Sequence, residues 1–267
     1  MTLFQLILVA IIQGLTEFLP VSSSGHLILL PQLTGMQDQG QAIDVAVHVG
    51  TLFAVILYFW KEVRIAAGGI PRLMRGKVDT QGAWLAMCLG LATVPVLIFG
   101  LILKLTGLDE MMRSIAVISW TMIISGIVLY WTDQRGKDAK QMHQWSIKDA
   151  AIMGLWQAIA LIPGTSRSGA TISGARALGY AREDAARLAM LMSIPTIIAS
   201  GLLLGAEVAS TADWQLAKNA SIGAILAFIS ALFALTLMMK LLKSVSFTPY
   251  VIYRLILGVI LLFIAYS

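Results

Sequence analysis

Apolar residues fill this chain in long runs, and its polar residues collect in short stretches between them. Six runs, about 42–60, 83–105, 114–131, 188–207, 219–239 and 249–266, are each near the roughly 20 residues an α-helix needs to cross a bilayer. Two more, about 2–20 and 147–163, each end in a Pro and a Ser/Gly loop, followed by a weaker apolar piece. These two are either full spans or the descending arms of re-entrant hairpins. Non-helical backbone at membrane depth is tolerated where protein buries it or where it lines a wet cavity.

The two irregular pieces repeat each other. Gln13 is followed by Ser22, Ser24 and Gly25; Gln157 is followed at the same spacing by Ser166, Ser168 and Gly169. The offset is 144 throughout, and it also sets Thr2 over Ser146, each a candidate N-cap for the apolar run that follows. The expectation is one all-α membrane domain, 1–267, built from halves of approximately 1–140 and 141–267. A polar loop repeated once per half points to a site at the repeat interface.

Composition supports this reading: 58% of the residues are hydrophobic and 12% charged, against about 25% charged in soluble domains. The net charge of +5 is read by its location beside spans and not as affinity for nucleic acid. Cys88 is the single cysteine, so no internal disulfide can form. No cleavable signal peptide is evident, so the mature spans are expected to carry the targeting information.

Lysine and arginine positions choose between spans and hairpins. If all eight runs cross, the basic residues divide almost evenly. With two hairpins, fourteen of the nineteen share one side, in 61–82, 132–148, 176–187 and 240–247. The other side keeps Lys104, Arg113 and Lys218, while Arg167 and Arg254 stay within the membrane-embedded part. That asymmetry fits the positive-inside rule. The expected architecture is six transmembrane helices plus two re-entrant helical hairpins, with both termini outside. Three crossings per half then invert the second half, and the hairpin tips meet inside the membrane. The basic 61–82 loop is assigned to orientation and anionic-lipid contact.

The first tip carries Gln13, Glu17, Ser22, Ser23, Ser24 and His26. Gln13 and Glu17, four apart, share a helix face, and a carboxylate in apolar sequence is a functional candidate by default. The serines and His26 offer a nucleophile and a general acid or base. The second tip carries Ser166, Arg167, Ser168 and Thr171, an arginine fork and hydroxyls suited to phosphate oxygens. Together they suggest chemistry on a phosphorylated lipid. Asp44 and His48, four apart, either extend the site or form a buried hydrogen-bonded pair. Arg254, near a span end, is expected to snorkel.

The segments Gln13-Gly-Leu-Thr-Glu-Phe-Leu-Pro-Val-Ser-Ser-Ser-Gly-His26 and Pro163-Gly-Thr-Ser-Arg-Ser-Gly-Ala-Thr171, with the Tyr253-Arg254 pair, closely resemble the signatures of the bacterial undecaprenyl-diphosphate phosphatase family, the bacitracin-resistance type. The resemblance covers essentially the whole chain. It implies removal of the terminal phosphate from undecaprenyl diphosphate, which regenerates the carrier for peptidoglycan and other envelope polymers. It also implies a multi-pass protein of the bacterial inner membrane with its active site opening outward, membrane lipids as neighbours and a homodimer as one admissible assembly. By motif position, Glu17, His26 and Arg167 would be catalytic and Ser23 the nucleophile. Ser22, Ser24, Ser166, Ser168 and Thr171 would line the phosphate pocket. A divalent cation, Mg²⁺ or Ca²⁺, is expected at Glu17 and at Gln13, where many members carry Glu.

Two rivals differ in class. A phosphatidic-acid-phosphatase type needs a His after its Ser-Arg, yet His26, His48 and His143 all precede Arg167. A transporter for lipid phosphates would use the same groups without turnover.

Overall fold

The computed structural model describes residues 1–208 and 214–267. Among the described residues six helices are long and apolar enough to cross a membrane: α3 (Gln41–Tyr58), α5 (Gln81–Thr106), α7 (Ile115–Arg135), α10 (Arg182–Val208), α11 (Trp214–Leu241) and α12 (Thr248–Tyr266). Large apolar side chains such as Leu101, Ile124, Phe233 and Phe263 point outward from them. Such exposure is favourable in hydrocarbon, since the backbone groups are satisfied within each helix.

Four further helices form two helix–break–helix units. Helix α1 (Leu3–Phe18) breaks before α2 (Ser23–Thr34), and α8 (Ile147–Ile159) breaks before α9 (Arg167–Ala177). Thr2 caps α1 by accepting from the amide of Gln5, and Ser146 caps α8 by accepting from that of Asp149. At 16 and 13 residues, α1 and α8 are shorter than a span.

Packing follows the repeat. In chain order α1, α3, α5 and α7 correspond to α8, α10, α11 and α12. Helix α1 packs on α11 and α8 packs on α5, while α3 meets α10 and α7 meets α12. Exchanging the halves maps these four pairs onto themselves, while α3 meets α11 more extensively than α5 meets α10, and α9 meets α7 more extensively than α2 meets α12. Each broken unit therefore lies against a span of the opposite half, which brings the two breaks together.

The segment 61–82 is not a plain loop. Trp60–Leu73 forms a helix, α4, packed against α5. Its charged residues sit among an apolar stripe of Val63, Ala66 and Ile70, the pattern of a helix lying at an interface. Helix α6 (Leu108–Met111) is a single turn between α5 and α7.

One ionic cluster also fixes the ends of several helices. Asp133 accepts from Arg176 (3.1 Å), from Arg182 (2.8 Å) and from the backbone amide of Phe247 (3.2 Å). Asp133 and Arg176 are both buried. The cluster ties together the end of α7, the end of α9 and the starts of α10 and α12.

Candidate functional site

The two breaks share one local structure. Ser22 and Ser166 both have positive φ, 74° and 71°, a region costly for residues with a Cβ. Each hydroxyl accepts the amide three residues on, Gly25 at 3.3 Å and Gly169 at 3.1 Å. Each also faces the next serine of its motif, Ser24 at 3.4 Å and Ser168 at 3.1 Å. The Ser-x-Ser-Gly pattern is thus a helix-capping turn, and the residue at x takes no part in the cap and is left to reach Glu17. That residue is Ser23 in the first turn and Arg167 in the second.

Both reach Glu17. The Ser23 hydroxyl donates to Glu17 Oε2 at 2.7 Å, and Arg167 Nη2 donates to Glu17 Oε1 at 2.5 Å. Gln13 Nε2 donates to Oε2 at 2.8 Å. His48 Nε2 lies 3.8 Å from the same oxygen. Glu17 is 7% exposed, so its charge depends on these partners. Two polar atoms here have none: Gln13 Oε1 and Arg167 Nη1 are buried and unbonded. Because a carboxylate only accepts, the Gln13 amide must turn its nitrogen to Glu17, which fixes its oxygen as the orphan.

His26 lies apart from Ser23's hydrogen bond. Its Nδ1 meets the Ser22 carbonyl at 2.7 Å, and its Nε2 meets the Tyr253 hydroxyl at 2.6 Å, with the two rings stacked. The carbonyl can only accept, so Nδ1 carries the proton. In the neutral ring Nε2 then accepts from Tyr253. Tyr253 is 44% exposed and marks the open rim of the site with Ser24. No spacing in the sequence joins residue 253 to residue 26. The only signal was the position of Tyr253 beside Arg254.

Arg254 does not snorkel. It is fully buried, and its guanidinium donates to the carbonyls of Pro20 (3.1 Å), Gly164 (3.0 Å), Thr165 (2.9 Å) and Met122 (3.3 Å), and to the Ser125 hydroxyl. It clamps both breaks, whose carbonyls lack helical donors. Gly169 is required beside it, since a Cβ there would meet Arg254 Nη1 at 2.8 Å.

The remaining candidates divide. Ser168 donates to the Leu19 carbonyl at 3.0 Å, crossing between the breaks. Thr171 is fully buried and donates back to Arg167 and Ser168 carbonyls. Ser22, Ser166 and Thr171 bond within their own turns, and Ser168 ties the second turn to the first. Ser23 and Ser24 are the less buried serines of the set. Asp44 and His48 form no side-chain pair: His48 Nδ1 bonds the Asp44 carbonyl (2.7 Å), and the Asp44 carboxylate accepts from Gln39 (2.9 Å). His48 instead turns its other nitrogen toward Glu17.

Among the described residues no group of three or more His, Cys, Asp and Glu forms a metal cage. The donor set still fits a hard cation. Mg²⁺ commonly takes one or two protein oxygens and completes its shell with water and substrate phosphates. Glu17 and the orphaned Gln13 Oε1, one helical turn apart, are such oxygens.

The fold and site define a polytopic helical membrane protein with a Glu–Ser–Arg cluster set between two broken helices. Residues 6–260 match the family described as "Bacitracin resistance protein BacA", and the chain belongs to that family. It is 71% identical over the full length of both chains to the "Undecaprenyl-diphosphatase" of Dinoroseobacter shibae. It is 68% identical, again at full length, to the protein of that name from Jannaschia sp.. A relative in Saccharophagus degradans with the same name is 44% identical, covering 97% of this chain and 96% of its own.

Proposed function

We propose that this chain is an undecaprenyl-diphosphatase, hydrolysing undecaprenyl diphosphate to undecaprenyl phosphate and inorganic phosphate and so recycling the carrier. Full-length relatives of that name support the activity. The observation that carries the mechanism is the convergence of Ser23 and Arg167 on the two oxygens of Glu17.

In the resting site Arg167 neutralises Glu17. An arriving terminal phosphate offers better-matched oxygens to the guanidinium fork, including the unbonded Nη1. As Arg167 turns to phosphate, Glu17 is left bonded to Ser23 and Gln13 and takes the Ser23 proton. Ser23 Oγ attacks the terminal phosphorus, the bond to the bridging oxygen breaks, and the lipid monophosphate leaves. Arg167 offsets the charge spread over the transferring oxygens, where phosphoryl transfer needs most help. His26, in the imidazolium form that carries a proton on Nε2 as well as on Nδ1, gives the Nε2 proton to the oxygen of the leaving lipid phosphate, and the Tyr253 hydroxyl then donates to the freed Nε2. Water then attacks the phosphoserine and passes a proton to His26 Nε2, Glu17 returns its proton to Ser23 Oγ as the P–O bond breaks, and inorganic phosphate is released. A divalent cation, Mg²⁺ or Ca²⁺, held by Glu17 and Gln13 Oε1 would neutralise the diphosphate.

The inverted, re-entrant arrangement is part of this proposal. It is supported by the exchange-symmetric packing and by the lysine and arginine distribution. The protein then sits in the bacterial inner membrane with both termini and the site opening outside. All the site residues come from one chain, so a homodimer is not needed to complete it.

Phosphate release from undecaprenyl diphosphate by purified protein in detergent tests the reading, because no gradient exists there to drive transport. Release that stops in chelator is expected. Binding without release would instead assign a transporter.

A further inference from the structure

A cavity of about 410 Å³, with charged side chains set among aromatic and apolar walls, opens at the starts of α4, α5 and α10. Its walls include Lys61, Glu62, Trp84, Trp145, Asp184 and Arg187, none of them in the site above. Two features mark it as built for a ligand. Trp145 is 3% exposed, and its indole N–H has no partner. Arg187 Nε is also buried and unbonded. Buried donors without acceptors are uncommon and costly, and both orphans here are donors.

The charges are balanced as well. Lys61 and Arg187 face Glu62 and Asp184, and the two carboxylates stand at 4.0 Å from Arg187 Nη1, too far to satisfy it tightly. A ligand that supplies an anionic oxygen to the two donors and a cation to the two carboxylates completes every group. A purely anionic ligand would leave the carboxylates opposed to it.

A second, apolar cavity of about 360 Å³ lies on the same three helices. Ala67, Ile70, Leu89, Leu191, Ile194 and Ile198 are among its walls. Along α5 it begins at Ala86, just past Trp84 and Leu85; along α10 it begins at Leu191, one turn beyond Arg187. With about 1.5 Å of rise per residue, it is roughly 5–15 Å deeper along the helices. A chamber with charged side chains at the helix ends above an apolar chamber among apolar spans has the layout of a lipid.

We propose that these two cavities hold one zwitterionic phospholipid of the surrounding membrane. Its phosphate accepts from Trp145 Nε1 and Arg187 Nε, its ammonium faces Glu62 and Asp184, and an acyl chain fills the apolar chamber. The proposal rests on the membrane placement of the six apolar helices and not on the phosphatase chemistry.

The test uses full-length protein, delipidated in detergent, titrated with short-chain phosphatidylethanolamine, phosphatidylglycerol, O-phosphoethanolamine or inorganic phosphate. Binding is read by native mass spectrometry and thermal unfolding. Phosphatidylethanolamine should bind at least about tenfold more tightly than phosphatidylglycerol, and more tightly than either soluble headgroup mimic. Trp145→Phe should weaken it roughly threefold to tenfold, the worth of one hydrogen bond, and Arg187→Gln should weaken it further. Trp145→Phe should leave phosphate release from undecaprenyl diphosphate unchanged, which separates failure here from failure of the phosphatase reading. Equal or tighter binding of phosphatidylglycerol overturns the proposal. So does inorganic phosphate binding as tightly as the lipid, displacement by undecaprenyl phosphate, or insensitivity to Trp145→Phe.

Discussion

Ser23 and Arg167 occupy the same position in the two repeated turns, and each bonds a different oxygen of Glu17. The repeat therefore does more than duplicate a fold. It presents two side chains from related sites to one carboxylate, one a hydroxyl and one a cation. The other related positions have diverged: His26 corresponds to Ala170, and Glu17 to Leu161. One composite site results, not two.

His26 and Tyr253 act as a pair. Tyr253→Phe removes the hydroxyl that Nε2 meets at 2.6 Å. Turnover should fall by roughly tenfold to a hundredfold, at the low end of general acid–base contributions, with KM little changed. His26→Ala should flatten one limb of the pH–rate profile while a non-hydrolysable diphosphate analogue still binds. An unaltered profile in His26→Ala would remove it from proton transfer.

Arg254 is a clamp. Arg254→Met strands the carbonyls of Pro20, Gly164 and Thr165 in a dry interior. At about 1–3 kcal/mol for each unsatisfied group, thermal unfolding in detergent should show a loss of at least about 3 kcal/mol, with activity falling alongside. Arg254→Lys keeps the charge but cannot span the same acceptors, so it should recover little. Unchanged melting in Arg254→Met would contradict the clamp.

Gln13 bears on the cation. Gln13→Glu restores a paired carboxylate beside Glu17. Activity should persist, with the order of preference among Mg²⁺, Ca²⁺ and Mn²⁺ changed. Metal titrations after chelation read this directly, and full activity of the wild type in excess chelator would remove the cation from the mechanism.

Reporters fused at either terminus should lie outside, and one inserted within 65–80 should lie in the cytoplasm. A cytoplasmic N-terminus would break the parity that inverts the second half.

The spans were legible because 18 or more apolar residues in a row admit few other solutions. Their ends were not. Helix α10 starts at Arg182, six residues before its apolar run at 188, because its first turns carry Arg182, Glu183 and Asp184 at the protein surface. Helix α4 was hidden for a related reason: its apolar stripe is diluted by the charges that suit an interface. Within the site, the paired motifs exposed Glu17, Ser23, Arg167 and His26 as candidates. Which of them meet was decided by packing. Ser23 bonds Glu17 and not His26, and Arg254 turns inward, because the carbonyls of two broken helices converge there. No local pattern around residue 254 encodes those carbonyls, which come from residues 20, 164 and 165 and are joined by that of Met122 in α7.

The most direct test compares inorganic phosphate release from undecaprenyl diphosphate by wild type, Glu17→Gln, Ser23→Ala and Arg167→Lys, each checked for folding by thermal unfolding. Wild type should release one phosphate per lipid. Arg167→Lys keeps its charge but loses the fork that matches phosphate, and should fall by at least about a hundredfold, a barrier change on the order of 3 kcal/mol. Glu17→Gln and Ser23→Ala should be at least as impaired. Near-normal release from folded Arg167→Lys and Ser23→Ala would contradict a site formed where the two repeats meet on Glu17.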